Sequence, residues 1–177
     1  MFIFRVAISI LFIATLSSCG TALQVYKSPV AAPGQTTEIV LTNTGESMIT
    51  MYVYRDSITC SGAQVLEYPY GVFPNIPKKI TVKKGEPFTV GAFWGTGFTQ
   101  GANGLSNLQC PMHFTFLPTK DKYTFSLHAD TKGCNYQEVP ATKDLVIVPR
   151  TYSVPWSADG PWCKALSTSD LSALLQK

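Results

Sequence analysis

Catalytic signatures are missing from this chain. It contains no G-x-S-x-G, H-E-x-x-H or S-x-x-K, no P-loop and no G-x-G-x-x-G. Gly95-Thr96-Gly97 is only a fragment of a glycine-rich pattern, with no following helix or lysine. Charge is also scarce: Asp, Glu, Lys and Arg make up 14% of residues, with no run of one sign, and the net charge is only +3. That balance gives no basis for nucleic-acid binding. With two histidines and no Cys-x-x-Cys pair, an imidazole-rich metal centre, a zinc ribbon and a redox motif are all disfavoured. The acids stand singly, mostly at turns, so nothing marks a paired-carboxylate glycosidase. The expectation is a protein that is not an enzyme, with no cofactor and no bound metal.

Long hydrophobic runs are lacking too, with one short exception at the start. Arg5 is followed by apolar and small residues from Val6 to Leu16. A bilayer span needs roughly 20 apolar residues, so this run fits a secretory signal instead. It ends in Leu16-Ser17-Ser18-Cys19-Gly20, which resembles the lipobox of bacterial lipoproteins. The resemblance implies a signal peptide over residues 1–18, diacylglyceryl transfer to the Cys19 thiol, cleavage before Cys19, and acylation (palmitate) of the new amine. Small residues at 17 and 18 suit a narrow protease site. Several acyl chains, at about 0.8 kcal/mol per buried CH₂, hold a protein where one chain does not. Gly20 replaces the aspartate that would signal inner-membrane retention. By the same resemblance, the expected location is the cell envelope, anchored in the outer membrane with the domain periplasmic or surface-exposed.

Five cysteines are present: Cys19, Cys60, Cys110, Cys134 and Cys163. An odd count in an exported chain needs a reason, and lipidation of Cys19 leaves an even four. Two disulfides are expected in an oxidising compartment. Three connectivities are open. Cys110 with Cys134 is favoured because both flank one expected hairpin, and that leaves Cys60 with Cys163 to pin the C-terminal segment.

Residues 19–22 would form a lipidated tether, and 23–177 a single domain. Its Gly, Pro, Ser and Thr content favours short strands joined by turns. Strands are expected at 23–27, 36–42, 48–54, 79–82, 87–94, 112–117, 123–127 and 144–148. Thr36–Thr42 and Met48–Tyr54 should form a hairpin about Asn43-Thr44-Gly45-Glu46. Residues 55–77 read as irregular. Ser169-Asp170 can cap a short helix through Leu175. The predicted fold is all-β: an immunoglobulin-like β-sandwich of about eight strands with a short C-terminal helix, a small barrel being the other architecture considered.

Met112–Leu117 and Tyr123–Leu127 give the clearest hairpin. With Thr119 opposite Lys122, Phe116 meets Phe125 and Phe114 meets Leu127 on one apolar face. The other face would pair Thr115 with Ser126 and His113 with His128. Two histidines alone do not make a metal site, and the expectation is a partly exposed pair.

Loops are the expected contact surfaces on such a scaffold. Two carry aromatic residues among Gly and Pro: 67–77, with Tyr68, Tyr70 and Phe73, and 93–98, with Phe93, Trp94 and Phe98. These side chains suit sugars, peptides or a protein partner, or would fill space beneath their own loops. Trp156 and Trp162 lie close to Cys163 and are expected to shield a disulfide. Tyr54–Gly62 (YRDSITCSG), Cys110–Pro118 (CPMHFTFLP), Tyr123 and Cys134 together make the chain similar to small uncharacterised lipoproteins of Gram-negative bacteria. The similarity implies a compact disulfide-bearing β domain and brings no catalytic residues. The expected function is a membrane-anchored binding or structural module for an envelope partner. An inhibitor or exclusion factor acting on a periplasmic hydrolase or phage is the alternative, with a cell-wall or sugar hydrolase ranked third.

Overall fold

The computed structural model describes residues 23–67, 71–94, 109–130, 133–152 and 161–176. Among these are ten strands and one helix: β1 (Gln24–Val25), β2 (Thr36–Asn43), β3 (Ile49–Asp56), β4 (Ser61–Val65), β5 (Pro77–Lys83), β6 (Phe88–Trp94), β7 (Gln109–Phe116), β8 (Lys122–Asp130), β9 (Gly133–Glu138), β10 (Ile147–Pro149) and α1 (Thr168–Leu175). The strands form two open sheets packed as a sandwich. The first has the order β1-β4-β3-β6-β7-β10 and the second β5-β2-β8-β9. Pairing is antiparallel except for β1 with β4 and β2 with β8.

β4 lies within the stretch expected to be irregular, and β9 was not foreseen. The last strand is shorter than expected and starts at Ile147. Helix α1 is capped by Ser167, two residues before the expected start. The Asp170 amide donates to Ser167 Oγ, and the Ser167 amide donates to Asp170 Oδ2, which together satisfy two end groups of the helix.

Neither expected hairpin forms. β2 pairs with β5 and β8, while β3 pairs with β4 and β6, in the other sheet. The chain between them crosses from sheet to sheet because Asn43 is buried and organises the crossing. Its Nδ2 donates to the carbonyls of Ser47 and Val72, and its Oδ1 accepts from the Gly45 amide. The Thr44 amide donates to Leu127, continuing along β8 rather than reversing.

β7 and β8 likewise lie in opposite sheets. Phe114, Phe116, Phe125 and Leu127 do share the core as predicted, but they meet across the sandwich instead of within a ladder. The Phe114 and Phe116 rings sit 5.1 and 4.9 Å from Phe125. Each such fully buried side chain contributes about 1.5–3 kcal/mol. The pairing of His113 with His128 fails for the same reason: the two residues are on different sheets.

Cys110 on β7 bonds to Cys134 on β9, with 5.5 Å between Cα atoms, joining the two sheets. Cys60, in the turn after β3, bonds to Cys163 across 103 residues of sequence. This second bridge holds the C-terminal segment against the outer face of the first sheet. Cys60, Cys163, Trp162, Tyr52, Tyr54 and Phe93 form a second apolar cluster there. The first sheet is therefore buried on both faces, which explains why β3 and β6 show almost no alternation of burial.

Candidate functional site

One end of the sandwich is shaped by Asn43. The amide and carbonyl of Ile49 bond to Val72, and the Asn75 amide donates to Asn43 O. Gly71 has φ +77°, and a methyl group there would press on the Ile49 carbonyl carbon and oxygen. Glycine is therefore required to bring this loop close to β3. The result is a short, fixed loop whose large side chains point outward: Phe73 is 54% exposed and Ile76 57%. Met48, next to Ile49, is exposed as well.

Ile49 sits between Val72 on one side and Trp94 on the other, so the two segments expected to carry binding loops begin at the same end of the molecule. The side chains of the second segment do not behave as expected. Phe93 is on β6 and only 3% exposed, stacked on Trp162 and edge-on to Tyr52. Trp94 is half-buried against the main core. Strand β6 ends at Trp94 as expected, and the face on which Phe93 lies is covered by Trp162 and its neighbours. Tyr68, Tyr70, Phe98, Trp156 and Cys19 lie outside the described residues. Of the six aromatic residues proposed for contact, Phe73 is the described one that faces solvent.

A second constellation was not foreseen. On the outer face of the first sheet, register places Gly91 between Tyr52 and His113, and Thr89 beside Thr115. Tyr54 and His113 lean over the glycine. A methyl at Gly91 would fall 2.7 Å from Tyr54 Oη and 2.9 Å from His113 Nε2. His113 is 3% exposed, and Tyr152 stacks on its ring at 5.9 Å. Neither His113 nitrogen, nor Tyr54 Oη, nor Tyr152 Oη has a hydrogen-bond partner among the described residues. Tyr52 Oη faces Thr50 without hydrogen-bonding geometry. Burial, then the nearby Arg150 charge, lowers the His113 pKa to about 4. Burial raises the phenols of Tyr52, Tyr54 and Tyr152.

Arg150 is itself buried, and among the described residues its guanidinium is anchored by neutral oxygens. Nε donates to Lys164 O. Nη1 donates to Ser57 O and to Thr115 Oγ1. Nη2 donates to the carbonyls of Ile58 and Lys164. Thr115 Oγ1 also bonds Thr89 Oγ1. His128, on the opposite sheet, is half-exposed beside Asp130. The sequence gives one hint of this face: MYVY in β3 is apolar on both sides, the mark of a strand covered twice. The meeting of Tyr54, Gly91, His113 and Arg150 depends on sheet order, which no local pattern encodes.

Two clefts, of about 210 and 240 Å³, fall below the ~300 Å³ at which small-molecule pockets begin. Among the described residues no cluster of three His, Cys, Asp or Glu is placed to hold a metal ion. No family model, no curated protein and no solved structure matches the chain. What the structure defines is a small, mostly β domain stapled by two disulfides. That chemistry indicates an oxidising, extracytoplasmic setting.

Proposed function

We propose that this chain is an exported lipoprotein of the bacterial envelope, anchored through Cys19, whose domain makes a protein contact through the end carrying Phe73 and Ile76. The observation that carries the reading is the Asn43-held loop. It keeps two large apolar side chains in water on a rigid base. A fixed, exposed aromatic side chain costs little ordering entropy on binding. Aromatic anchors of this kind tend to dominate interface energies. The role is attachment and contact rather than turnover.

The test is a pull-down from detergent-solubilised envelope with the full lipidated chain and with Phe73→Ser/Ile76→Ser. Both side chains are exposed, so the double variant should unfold at the native temperature. A specific partner retained by the native chain and lost by the variant supports the proposal. Equal recovery by both chains would remove this surface from consideration.

A further inference from the structure

The outer face of the first sheet combines three features that one ligand class would reconcile. Arg150 is a buried cation with no ion pair among the described residues, and its five N–H groups are spent on neutral oxygens. Asp56 and Asp170 feel its charge without contacting it. Their carboxylates are engaged elsewhere, Asp56 by the Ile58 and Thr59 amides and Asp170 by the α1 cap. Next to Arg150 lie Tyr54 and His113, each more than nine-tenths buried, and among the described residues neither their polar atoms nor the Tyr152 hydroxyl has a hydrogen-bond partner. Tyr54 Oη and His113 Nε2 converge over Gly91, where the missing side chain lets them approach the sheet, and the Tyr152 ring stacks on His113.

Buried donors without acceptors and a buried charge without a counter-charge are each costly. Phenol O–H groups and an imidazole N–H can all donate. Among the described residues no carboxylate contacts the group, and the nearest fixed charge is the Arg150 guanidinium. These properties oppose a metal cation and suit a negative guest. The close aromatic packing around it, with Tyr52 and Trp162 fully buried, limits that guest to a few ångströms.

We propose that the Tyr54–His113–Tyr152 cluster beside Arg150 binds a small monovalent inorganic anion of halide size. The anion accepts hydrogen bonds from the two phenols and the imidazole, and it supplies the charge Arg150 lacks. The C-terminal segment held by Cys60–Cys163 covers it. This site is separate from the Phe73 surface, so either assignment can fail without the other.

The experiment uses the purified full chain with both disulfides formed. Thermal unfolding is followed while sodium chloride or bromide replaces sodium gluconate at constant ionic strength. The expected result is a rise in the midpoint that saturates with halide concentration. Tyr54→Phe and Tyr152→Phe keep the rings and remove the donors. Each should raise the half-saturation concentration at least fivefold, while His128→Gln on the opposite sheet leaves it unchanged. Absence of a saturable halide effect, with the cluster holding water alone, overturns the proposal. So does an equal effect in native and tyrosine variants, which marks a general salt response.

Discussion

Asn43 and His113 show how much one side chain sets here. Asn43 holds the carbonyls of Ser47 and Val72 and the Gly45 amide. Asn43→Ala strands these groups in a buried place, at a cost of about 3 kcal/mol. Urea unfolding should show that loss at unchanged slope. For His113 the folded pKa is about 4, against an ordinary 6.5. The unfolded chain therefore binds the proton first. The stability tied to the neutral ring is complete above about pH 6.5 and disappears as pH falls toward 4. The shift corresponds to about 3 kcal/mol. In halide-free buffer, urea midpoints at pH 7 and pH 5 should differ clearly in the native chain and much less in His113→Phe. Asp56 and Asp170 lie below their ordinary values, so their losses fall in a more acidic window. An identical pH response in the variant would refute the assignment to His113.

At the level of strands and bridges, the faces were legible in the sequence and the partners were not. Phe114, Phe116, Phe125 and Leu127 share the core, as period-2 reasoning requires. The same parity holds whether β7 and β8 pair side by side or face each other across a sandwich, so periodicity could not choose. The expected Cys110–Cys134 hairpin staple is in fact a tie between sheets. The strand expected over 87–94 forms and its ladder with β3 reaches Trp94. Phe93 is nonetheless buried rather than a contact residue, because Trp162 and its neighbours cover that face, which no local pattern encodes. The two bridges should differ in weight. In the chain-entropy account, a closure of 24 residues contributes about 3 kcal/mol and one of 103 about 5 kcal/mol. Cys60→Ser/Cys163→Ser should also loosen the cover over Trp162 and red-shift its emission. Cys110→Ser/Cys134→Ser should lower stability and leave that emission in place.

As a whole, the molecule is organised around the first sheet, which is covered on one face by the second sheet and on the other by its own C-terminal segment. The Phe73 loop lies at one end of the sandwich, clear of the two covered faces of the first sheet. The chain upstream of Leu23 would carry the anchor. Cys19→Ser is expected to move the protein from the membrane to the soluble envelope fraction, and intact mass of the native protein should show acylation at Cys19. Contact through Phe73 is the central claim, and site-specific photo-crosslinking in intact cells tests it most directly. A photoreactive residue at position 73 should give a discrete adduct, while one at Gln137, on edge strand β9, should give none. Adducts from both positions alike, or from position 137 only, would contradict the account.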